Sequence, residues 1–491
     1  MEESVQRAFD ATRDFRGKAL RSACYAPFVS LNFNTRGDVV ACCKNQIYVL
    51  GNVGTTSLDE IWNGPKVRIL RRALERYDYG AGCEFCEWQV RAGDYRGAFS
   101  RRFDEFAVEE PDPRWPATME FTISNTCNYE CIMCSGELSS SIRARREGLP
   151  PMPKVYGDAF FADLRKYLPH LRSAVFMGGE PFLAHENYRV WEMMIEGASG
   201  VPCHVITNGS QWNERVERIL ERLPVHVCVS LDGATKETVE SIRVNARFEI
   251  VMENIRRFLA STRRRGTGFS LSYCLMRQNW REFGTFLRMA EELGCATWIN
   301  TVLDPPTCSL YTLPSDELGK VIAAMEAEEK DLLPGLRINR QVWLDGVGSL
   351  RKQAAEQQGE ALDRVKTSVG GRSHVAVAWE LAGQGRLEDA LREVLRTPET
   401  YPYYYQSIVA GAHFRRRLGD REGALRDLER AIALTRRRPE PYLERAWLRL
   451  EAGEVEEALA DGLRAREALR EGDEMEPFVH DLLGLAWCRK G

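Results

Sequence analysis

Short apolar runs alternate with longer amphipathic segments between residues 117 and 303. The short runs, which we predict to be strands, are 118–124, 173–177, 203–207, 225–231, 268–276 and 296–303. The longer segments, which we predict to be helices, include 185–198, 211–222, 247–264 and 279–293. Strands and helices in regular alternation indicate an α/β fold, here a partial (β/α)6 parallel barrel at 117–310. In such folds the chemistry gathers at the carboxyl ends of the strands.

The residues before this region have a different pattern. Residues 1–98 contain many Gly and Cys residues and short strand-like runs at 28–33 and 38–41, which predicts a small α+β module. Three prolines within six residues end the segment 99–116, which we predict to be a linker. Residues 311–370 are predicted to be connecting helices.

The last 120 residues repeat with a period of 34. Gly385, Gly419 and Gly453 are 34 residues apart, and each is followed by Glu and by an Ala-Leu pair at the same spacing. This pattern resembles the tetratricopeptide repeat, and it predicts an all-α helical-repeat domain at 371–491. A final helix at about 476–490 is expected to cap the stack.

Composition limits the partners and the compartment. A chain of 491 residues is too long for a single hydrophobic core, so it is expected to form several domains. Its net charge of −4 argues against general nucleic-acid binding. Its first 20 residues are charged throughout, and no stretch reaches the roughly 20 apolar residues that span a bilayer. We therefore expect a cytoplasmic protein without membrane contact, whose 14 cysteines are metal ligands and buried thiols rather than disulfides.

Three cysteines follow the first predicted barrel strand with the spacing C-x3-C-x2-C. Cys127, Cys131 and Cys134 can ligate three irons of a 4Fe–4S cluster and leave the fourth iron open. The alternatives are a structural zinc site, which needs four protein ligands, and a group of buried thiols. The run Gly178-Gly179-Glu180 follows the second strand.

These cysteines and the Gly-Gly-Glu run resemble the radical S-adenosylmethionine (SAM) superfamily over about residues 117–303. The resemblance implies that the open iron binds the amino and carboxylate groups of SAM. Gly178 and Gly179 would let the backbone approach the methionyl ammonium, and Glu180 would supply a matching negative charge. The implied chemistry is reductive cleavage of SAM to a 5′-deoxyadenosyl radical, which takes a hydrogen atom from the substrate.

The same resemblance implies further contacts with SAM. Asn208 and Ser230, at the ends of two strands, are expected at the ribose and carboxylate, and Arg243 at the SAM carboxylate. Met133 stands where the superfamily often has an aromatic residue, and its side chain can still pack against the adenine; Met276 borders it. The alternatives are strand-end turn residues for Asn208 and Ser230, a surface role for Arg243 and a core position for Met276.

A second group of cysteines precedes the barrel. Cys24, Cys42, Cys83 and Cys86, with the segment between them, resemble the SPASM/Twitch module, and four thiolates suffice for one auxiliary 4Fe–4S cluster. Cys43 is left over and can exchange with Cys42 as a ligand. This module usually follows the barrel, whereas here it precedes it. A four-cysteine zinc site is the alternative.

The resemblance and the repeats together suggest the substrate class. SPASM/Twitch enzymes act largely on peptides and proteins or on small molecules, and a concave helical-repeat groove favours a peptide or protein. Crosslinking and epimerisation both begin with hydrogen abstraction, and Cys308 is a candidate hydrogen donor for epimerisation. A flavodoxin or ferredoxin is the expected electron donor. The alternatives are a small natural-product intermediate as substrate and a non-catalytic metal-binding scaffold.

Overall fold

The computed structural model describes residues 1–15, 20–91, 93, 95–106, 108, 110–303, 305–358, 374–397, 404–434, 438–469 and 475–490. These residues divide into two compact units, one up to Gln358 and one from His374. The predicted boundary between residues 370 and 371 falls within 359–373, outside the described residues. No helix among the described residues is long and apolar enough to cross a membrane.

The first unit contains one twisted sheet with helices packed on it. Its strands are β1 Ser30–Phe33, β2 Asp38–Val40, β3 Gly51–Asn52, β4 Thr118–Phe121, β5 Ser173–Phe176, β6 Cys203–Thr207, β7 Val225–Ser230, β8 Phe269–Leu275 and β9 Ala296–Thr301. Its helices are α1 Glu3–Asp10, α2 Ala26–Val29, α3 Leu58–Asn63, α4 Pro65–Glu75, α5 Glu84–Arg91, α6 Ser140–Arg145, α7 Asp158–Leu164, α8 His185–Gly197, α9 Glu214–Arg222, α10 Lys236–Ile242, α11 Phe248–Arg265, α12 Phe283–Leu293, α13 Ser315–Leu332 and α14 Arg340–Gln358.

The strand order is β3-β2-β1-β4-β5-β6-β7-β8-β9, and β4 to β9 run parallel to their neighbours. The predicted α/β fold class is confirmed. All six predicted strands form, although β4 ends at Phe121, before the predicted end at 124. Odd-numbered residues of β4, such as Met119 and Phe121, lie in the apolar core under the helices. The opposite face of the strands carries polar side chains such as Glu120.

The N-terminal module extends the barrel sheet. β1 pairs in parallel with β4, the first barrel strand, with Ser30 opposite Thr118 and Phe33 opposite Phe121. The ring of Phe33 stacks on that of Phe121, with the ring centroids 5.4 Å apart. Phe121 stacks in turn on Phe176 of β5 at 5.0 Å. Backbone pairing and a continuous aromatic ladder therefore join the cysteine-rich module to the barrel, which puts its cysteines close to β4.

The segment that we predicted to be a linker is structured at its start. Phe99–Phe106 is a 3-10 helix, and its Phe103 is buried in the core of the N-terminal module. Arg13 of the N-terminal segment forms a two-pronged ion pair with Asp104, at 2.6 and 3.1 Å. This segment therefore belongs to the wall of the module, and the prolines that suggested a linker come only after it.

The second unit is all α-helical. Its helices are α15 His374–Gly383, α16 Leu387–Val394, α17 Tyr404–Arg417, α18 Arg421–Leu434, α19 Glu440–Glu451, α20 Val455–Ala468 and α21 Glu476–Lys490. Gly385, Gly419 and Gly453 lie in the turns inside three successive helix pairs, with φ of 79°, 84° and 80°. Since a side chain disfavours this left-handed backbone, the same residue recurs at the same turn of each repeat. The predicted all-α fold of this region is confirmed.

Candidate functional site

The three cysteines of the C-x3-C-x2-C motif lie on the loop between β4 and α6. Two backbone hydrogen bonds tie this loop to the end of α10, from Glu130 N to Val244 O (3.0 Å) and from Ile132 N to Ile242 O (2.9 Å). Ser139, the residue before α6, accepts a hydrogen bond from the N–H of Ile142. The loop is thus held from both sides, and the segment after α10 is brought against the cysteines.

The thiols of this loop are largely shielded from solvent. Burial raises the pKa of the Cys127 thiol to about 11 and that of Cys134 to about 12, and it raises the pKa of Cys131 as well. The backbone N–H of Tyr129 donates to Cys127 Sγ at 3.5 Å. Thiols with such pKa values are protonated at neutral pH, so binding of a metal cluster releases their protons.

The two glycines of the Gly-Gly-Glu run permit close contact between β5 and the cysteine loop. Both have positive φ, 78° at Gly178 and 45° at Gly179. A Cβ added to Gly178 would lie 2.4 Å from Thr122 Cγ2, and one added to Gly179 would lie 2.5 Å from Thr126 O. Only glycine leaves room for these contacts within the protein, and the approach of the methionyl ammonium to Gly178 and Gly179 stays a prediction.

The carboxylate of Glu180 is fully buried and has partners within the protein. It accepts hydrogen bonds from Asn208 N (2.6 Å), Thr207 Oγ1 (2.7 Å) and Phe182 N (3.0 Å). Burial nevertheless raises its pKa to about 7. These hydrogen bonds connect the segment after β5 to the end of β6. The sequence did not predict this structural role of Glu180. Its contact with the methionyl ammonium stays a prediction.

Arg243 is buried beside the cysteines, so the alternative of a surface arginine is wrong. Its Nη2 lies 2.6 Å from Asp232 Oδ2, and its Nη1 lies 3.9 Å from Cys131 Sγ. Burial alone would lower the pKa of Arg243, but the nearby groups that carry negative charge when ionised, Asp232 foremost, together raise it. Arg243 Nε is buried without a hydrogen-bond partner. A buried donor left over next to the cysteines fits a site for the carboxylate of SAM.

Asp232 was not among the residues predicted from the sequence. It follows β7, is fully buried, and adopts a positive φ of 63°. Its Oδ1 accepts a hydrogen bond from the N–H of Cys274 at 2.6 Å, so the end of β8 is held at the same place. Residues other than glycine adopt positive φ infrequently, and those that do are concentrated at functional sites. The signal in the sequence was the Asp-Gly pair at the end of the fourth barrel strand.

The two predicted ribose or carboxylate contacts lie at neighbouring strand ends. Asn208 Nδ2 is 3.9 Å from Cys127 Sγ and 3.0 Å from Asn128 Oδ1, so Asn208 borders the cysteine loop. Ser230 lies one strand further, where its Oγ accepts a hydrogen bond from Ser272 Oγ at 3.0 Å. Of these two, the structure places Asn208 in contact with the cluster loop.

Three predicted residues meet in a small apolar cluster at the carboxyl end of β8. Met276 and Cys308 are buried there with Ile242 and Val302, and Met133 packs against them. Met133 and Met276 thus lie together. Met276 is fully buried, as the alternative of a core position requires, and the contact of either residue with an adenine stays a prediction. Cys308 is 2 % exposed, so its role as a hydrogen donor stays a prediction.

The four cysteines of the N-terminal module line one cavity. Cys24, Cys42, Cys83 and Cys86 border a space of about 420 Å³, including its open mouth, whereas Cys43 is not in its lining. Much of the remaining wall is apolar and comprises Leu70, Leu74, Phe85, Phe99 and Phe103. Four thiols around a largely apolar cavity fit a four-cysteine iron–sulfur cluster.

The spacing of the side chains bears on the zinc alternative. Among the residues that the structure describes, no group of three or more His, Cys, Asp or Glu is placed to hold a single metal ion. A zinc ion draws its four ligands to one point at about 2.3 Å, whereas a 4Fe–4S cluster takes each thiolate on a different iron. Iron and zinc analysis of the purified protein separates these two cases.

Replacing the auxiliary cysteines is expected to separate Cys42 from Cys43. Cys42→Ala should weaken retention of the auxiliary cluster and lower the iron content by up to about four irons per chain, because the cavity then offers three of its four thiolates. Cys43→Ala should keep them, because Cys43 is outside the cavity lining. Iron and sulfide analysis of anaerobically reconstituted protein measures this. Equal iron loss from both variants would contradict the assignment, and stoichiometric zinc in place of iron would contradict the cluster.

Comparison with known families agrees with this geometry. The model of the radical SAM superfamily matches residues 121–290. The model of SPASM, an iron–sulfur cluster-binding domain, matches residues 24–87, a span that includes all four cysteines of the cavity. No curated protein matches the chain.

Solved structures similar to the chain fall into two groups. A structure of anSMEcpe with bound AdoMet is 19% identical, covering 45% of this chain and 63% of that chain with a TM-score of 0.35. SuiB of Streptococcus suis bound to S-adenosylmethionine is 11% identical, covering 54% and 63% with a TM-score of 0.34. The translocator chaperone SycD of Yersinia enterocolitica is 18% identical, covering 24% and 91% with a TM-score of 0.22.

This chain therefore spans less than two thirds of anSMEcpe and SuiB. The two family matches lie on the two cysteine groups that the structure assembles, one around a cavity and one beside Arg243. The chain accordingly contains a radical SAM domain, which takes a 4Fe–4S cluster and SAM, preceded by an SPASM domain with an auxiliary cluster.

Proposed function

We propose that this protein is a radical SAM enzyme that abstracts a hydrogen atom from a peptide or protein substrate. The main support for the proposal is that three structural features lie together at one edge of the sheet. The glycine pair after β5 and the buried Arg243 each lie against the cysteine loop there. When bound, the reduced cluster supplies the electron that splits SAM into methionine and a 5′-deoxyadenosyl radical.

The residues of the chain bind and orient SAM. Cys127, Cys131 and Cys134 hold the cluster, and Arg243 pairs with the SAM carboxylate. The backbone at Gly178 and Gly179 admits the methionyl group. Cluster ligands and substrate-binding groups fixed to strand ends keep the reacting atoms in place, and the enclosing barrel keeps water from the radical.

The inner face of the barrel is suited to a polar substrate. Ser230, Ser272 and Asn300 lie on three neighbouring strands and form a chain of contacts at 3.0 and 3.5 Å. His204 and His226 lie opposite each other near the amino ends of β6 and β7, so they are not part of the surface beside the cysteine loop. Peptide groups and polar side chains of a substrate find hydrogen-bond partners on such a surface.

The helical repeats support a polypeptide as substrate. Stacked helix pairs present an extended surface that suits binding of a peptide segment, and here they follow the barrel on the same chain. We infer that this unit recruits the peptide whose C–H bond is attacked. A flavodoxin or ferredoxin would deliver the electron. The competing candidates are a small natural-product intermediate and a scaffold without activity.

One experiment tests the reaction and the substrate class together. Anaerobically reconstituted protein is reduced with dithionite, supplied with SAM, and incubated with and without a small peptide encoded beside its gene. We expect 5′-deoxyadenosine in both reactions, more of it with the peptide, and a change in the mass of the peptide. Chromatography and mass spectrometry measure these products. Absence of 5′-deoxyadenosine from protein that holds both clusters would support the scaffold instead, and an unmodified peptide would point to another substrate.

A further inference from the structure

A lysine side chain contributes to the wall of the auxiliary-cluster cavity. Lys44 lines the cavity together with the four cysteines. Its Nζ lies 4.6 Å from the ring centroid of Phe85 and 5.0 Å from that of Phe99, both of which also line the cavity. Two cation–π contacts therefore hold the ammonium group at the cavity wall.

A second cation lies behind the same aromatic wall. Arg102 Cζ is 5.0 Å from the ring centroid of Phe99 and 5.4 Å from that of Phe103. Its guanidinium also pairs with the buried Glu120 of β4 at 2.9 Å. Glu120 offsets the charge of Arg102. Among the described residues, no carboxylate forms an ion pair with Lys44, so the charge of Lys44 faces the cavity without such an offset.

A partly buried ammonium without a carboxylate partner costs free energy unless a negative group compensates for it. A 4Fe–4S cluster with four thiolate ligands is such a group, because its net charge is negative and becomes more negative by one when it takes up an electron. A fixed positive charge nearby, in surroundings of low dielectric constant, stabilises the reduced form more than the oxidised form.

We propose that Lys44 raises the reduction potential of the auxiliary cluster and so favours its uptake of one electron. The positive charge is supplied from the residue two positions after Cys42 and held in place by Phe85 and Phe99. The inference depends on a cluster at Cys24, Cys42, Cys83 and Cys86, and it does not depend on the substrate proposed above.

The test removes the charge and keeps the bulk of the side chain. Lys44→Met and Lys44→Arg are made in the full chain, in a background with Cys127, Cys131 and Cys134 replaced by Ala so that only the auxiliary cluster remains. The midpoint potential is measured by redox titration followed by electron paramagnetic resonance. For Lys44→Met we expect at least a tenfold shift of the equilibrium toward the oxidised cluster, which is about 59 mV for one electron. Lys44→Arg should shift it less than about threefold.

A structural role for Lys44 predicts different results. An unchanged midpoint potential in Lys44→Met, with its iron content intact, would overturn the proposal. Should Lys44→Met lose its iron, Lys44→Gln and Lys44→Arg decide the matter by iron analysis. Iron that is retained in Lys44→Arg but lost from Lys44→Gln would show that the cluster requires a positive charge at residue 44, which supports the proposal. Iron loss from Lys44→Arg as well would overturn the proposal, because it would show that the shape of lysine is what matters. Since this background cannot cleave SAM, the result is independent of catalysis.

Discussion

Cys131→Ala is expected to abolish SAM cleavage and to remove about four irons per chain, leaving the auxiliary cluster in place. Cys131 is the buried central cysteine of its loop and the one that Arg243 approaches. Substituting residues that hydrogen-bond to metal ligands already reduces metal affinity or activity by about 10- to 100-fold. Loss of a ligand itself should therefore reduce SAM cleavage by more than about 100-fold. Iron analysis and the yield of 5′-deoxyadenosine measure the two effects.

Cys203→Ala is the matched control for this variant. Cys203 is also fully buried, but it lies at the start of β6 with its Sγ 3.9 Å from Met194 Sδ, in the apolar core. The substitution should lower the free energy of unfolding by about 1 kcal/mol through a small cavity, with iron content and cleavage unchanged. Full activity in Cys131→Ala, or the same iron loss in Cys203→Ala, would show that the cysteine loop does not hold the catalytic cluster.

The barrel could be predicted from the sequence because its strands are buried in a regular alternation with helices. All six runs became strands, and the helix predicted at 247–264 is observed as Phe248–Arg265. The main error in length was at β4. Residues 122–124, Thr-Ile-Ser, are compatible with a strand, but the strand ends at Phe121 and the chain enters the cysteine loop, where Thr122 lies close to Gly178. Contacts of this kind depend on a partner more than 50 residues away and leave no local pattern.

The joining of the N-terminal module to β4 could not be predicted for the same reason. The sequence of residues 28–33 does not indicate which strand they will pair with. The alternation of polar and apolar residues determines which side of the strand is buried, but it does not determine which strand lies next to it. The stacking of Phe33 on Phe121 and the pairing of Ser30 with Thr118 appear only in the folded chain. The cysteine spacing, by contrast, predicted which cysteines lie together: Cys127, Cys131 and Cys134 share one loop, and Cys24, Cys42, Cys83 and Cys86 line one cavity.

The buried pair of Arg243 and Asp232 is expected to have two separable roles. Arg243→Met removes the cation and leaves the fully buried Asp232 without its partner at 2.6 Å. Breaking a buried pair in this way costs about 3–5 kcal/mol of stability. If Arg243 also binds the SAM carboxylate, the loss of a charged hydrogen bond of about 1.5–3 kcal/mol should raise the Kd for SAM roughly 10- to 150-fold. Chemical denaturation and equilibrium binding of SAM to the reconstituted protein measure the two effects.

The double variant Asp232→Asn/Arg243→Met separates these roles. Without the carboxylate, no uncompensated charge remains in the interior, so much of the stability lost in Arg243→Met should return. Affinity for SAM should stay low, because the donor to its carboxylate is still missing. Recovery of SAM binding along with stability would mean that Arg243 acts only by holding the end of β7, and the carboxylate of SAM would then have another partner. Low affinity in a well-folded double variant would instead establish Arg243 as the group that receives SAM beside Cys131.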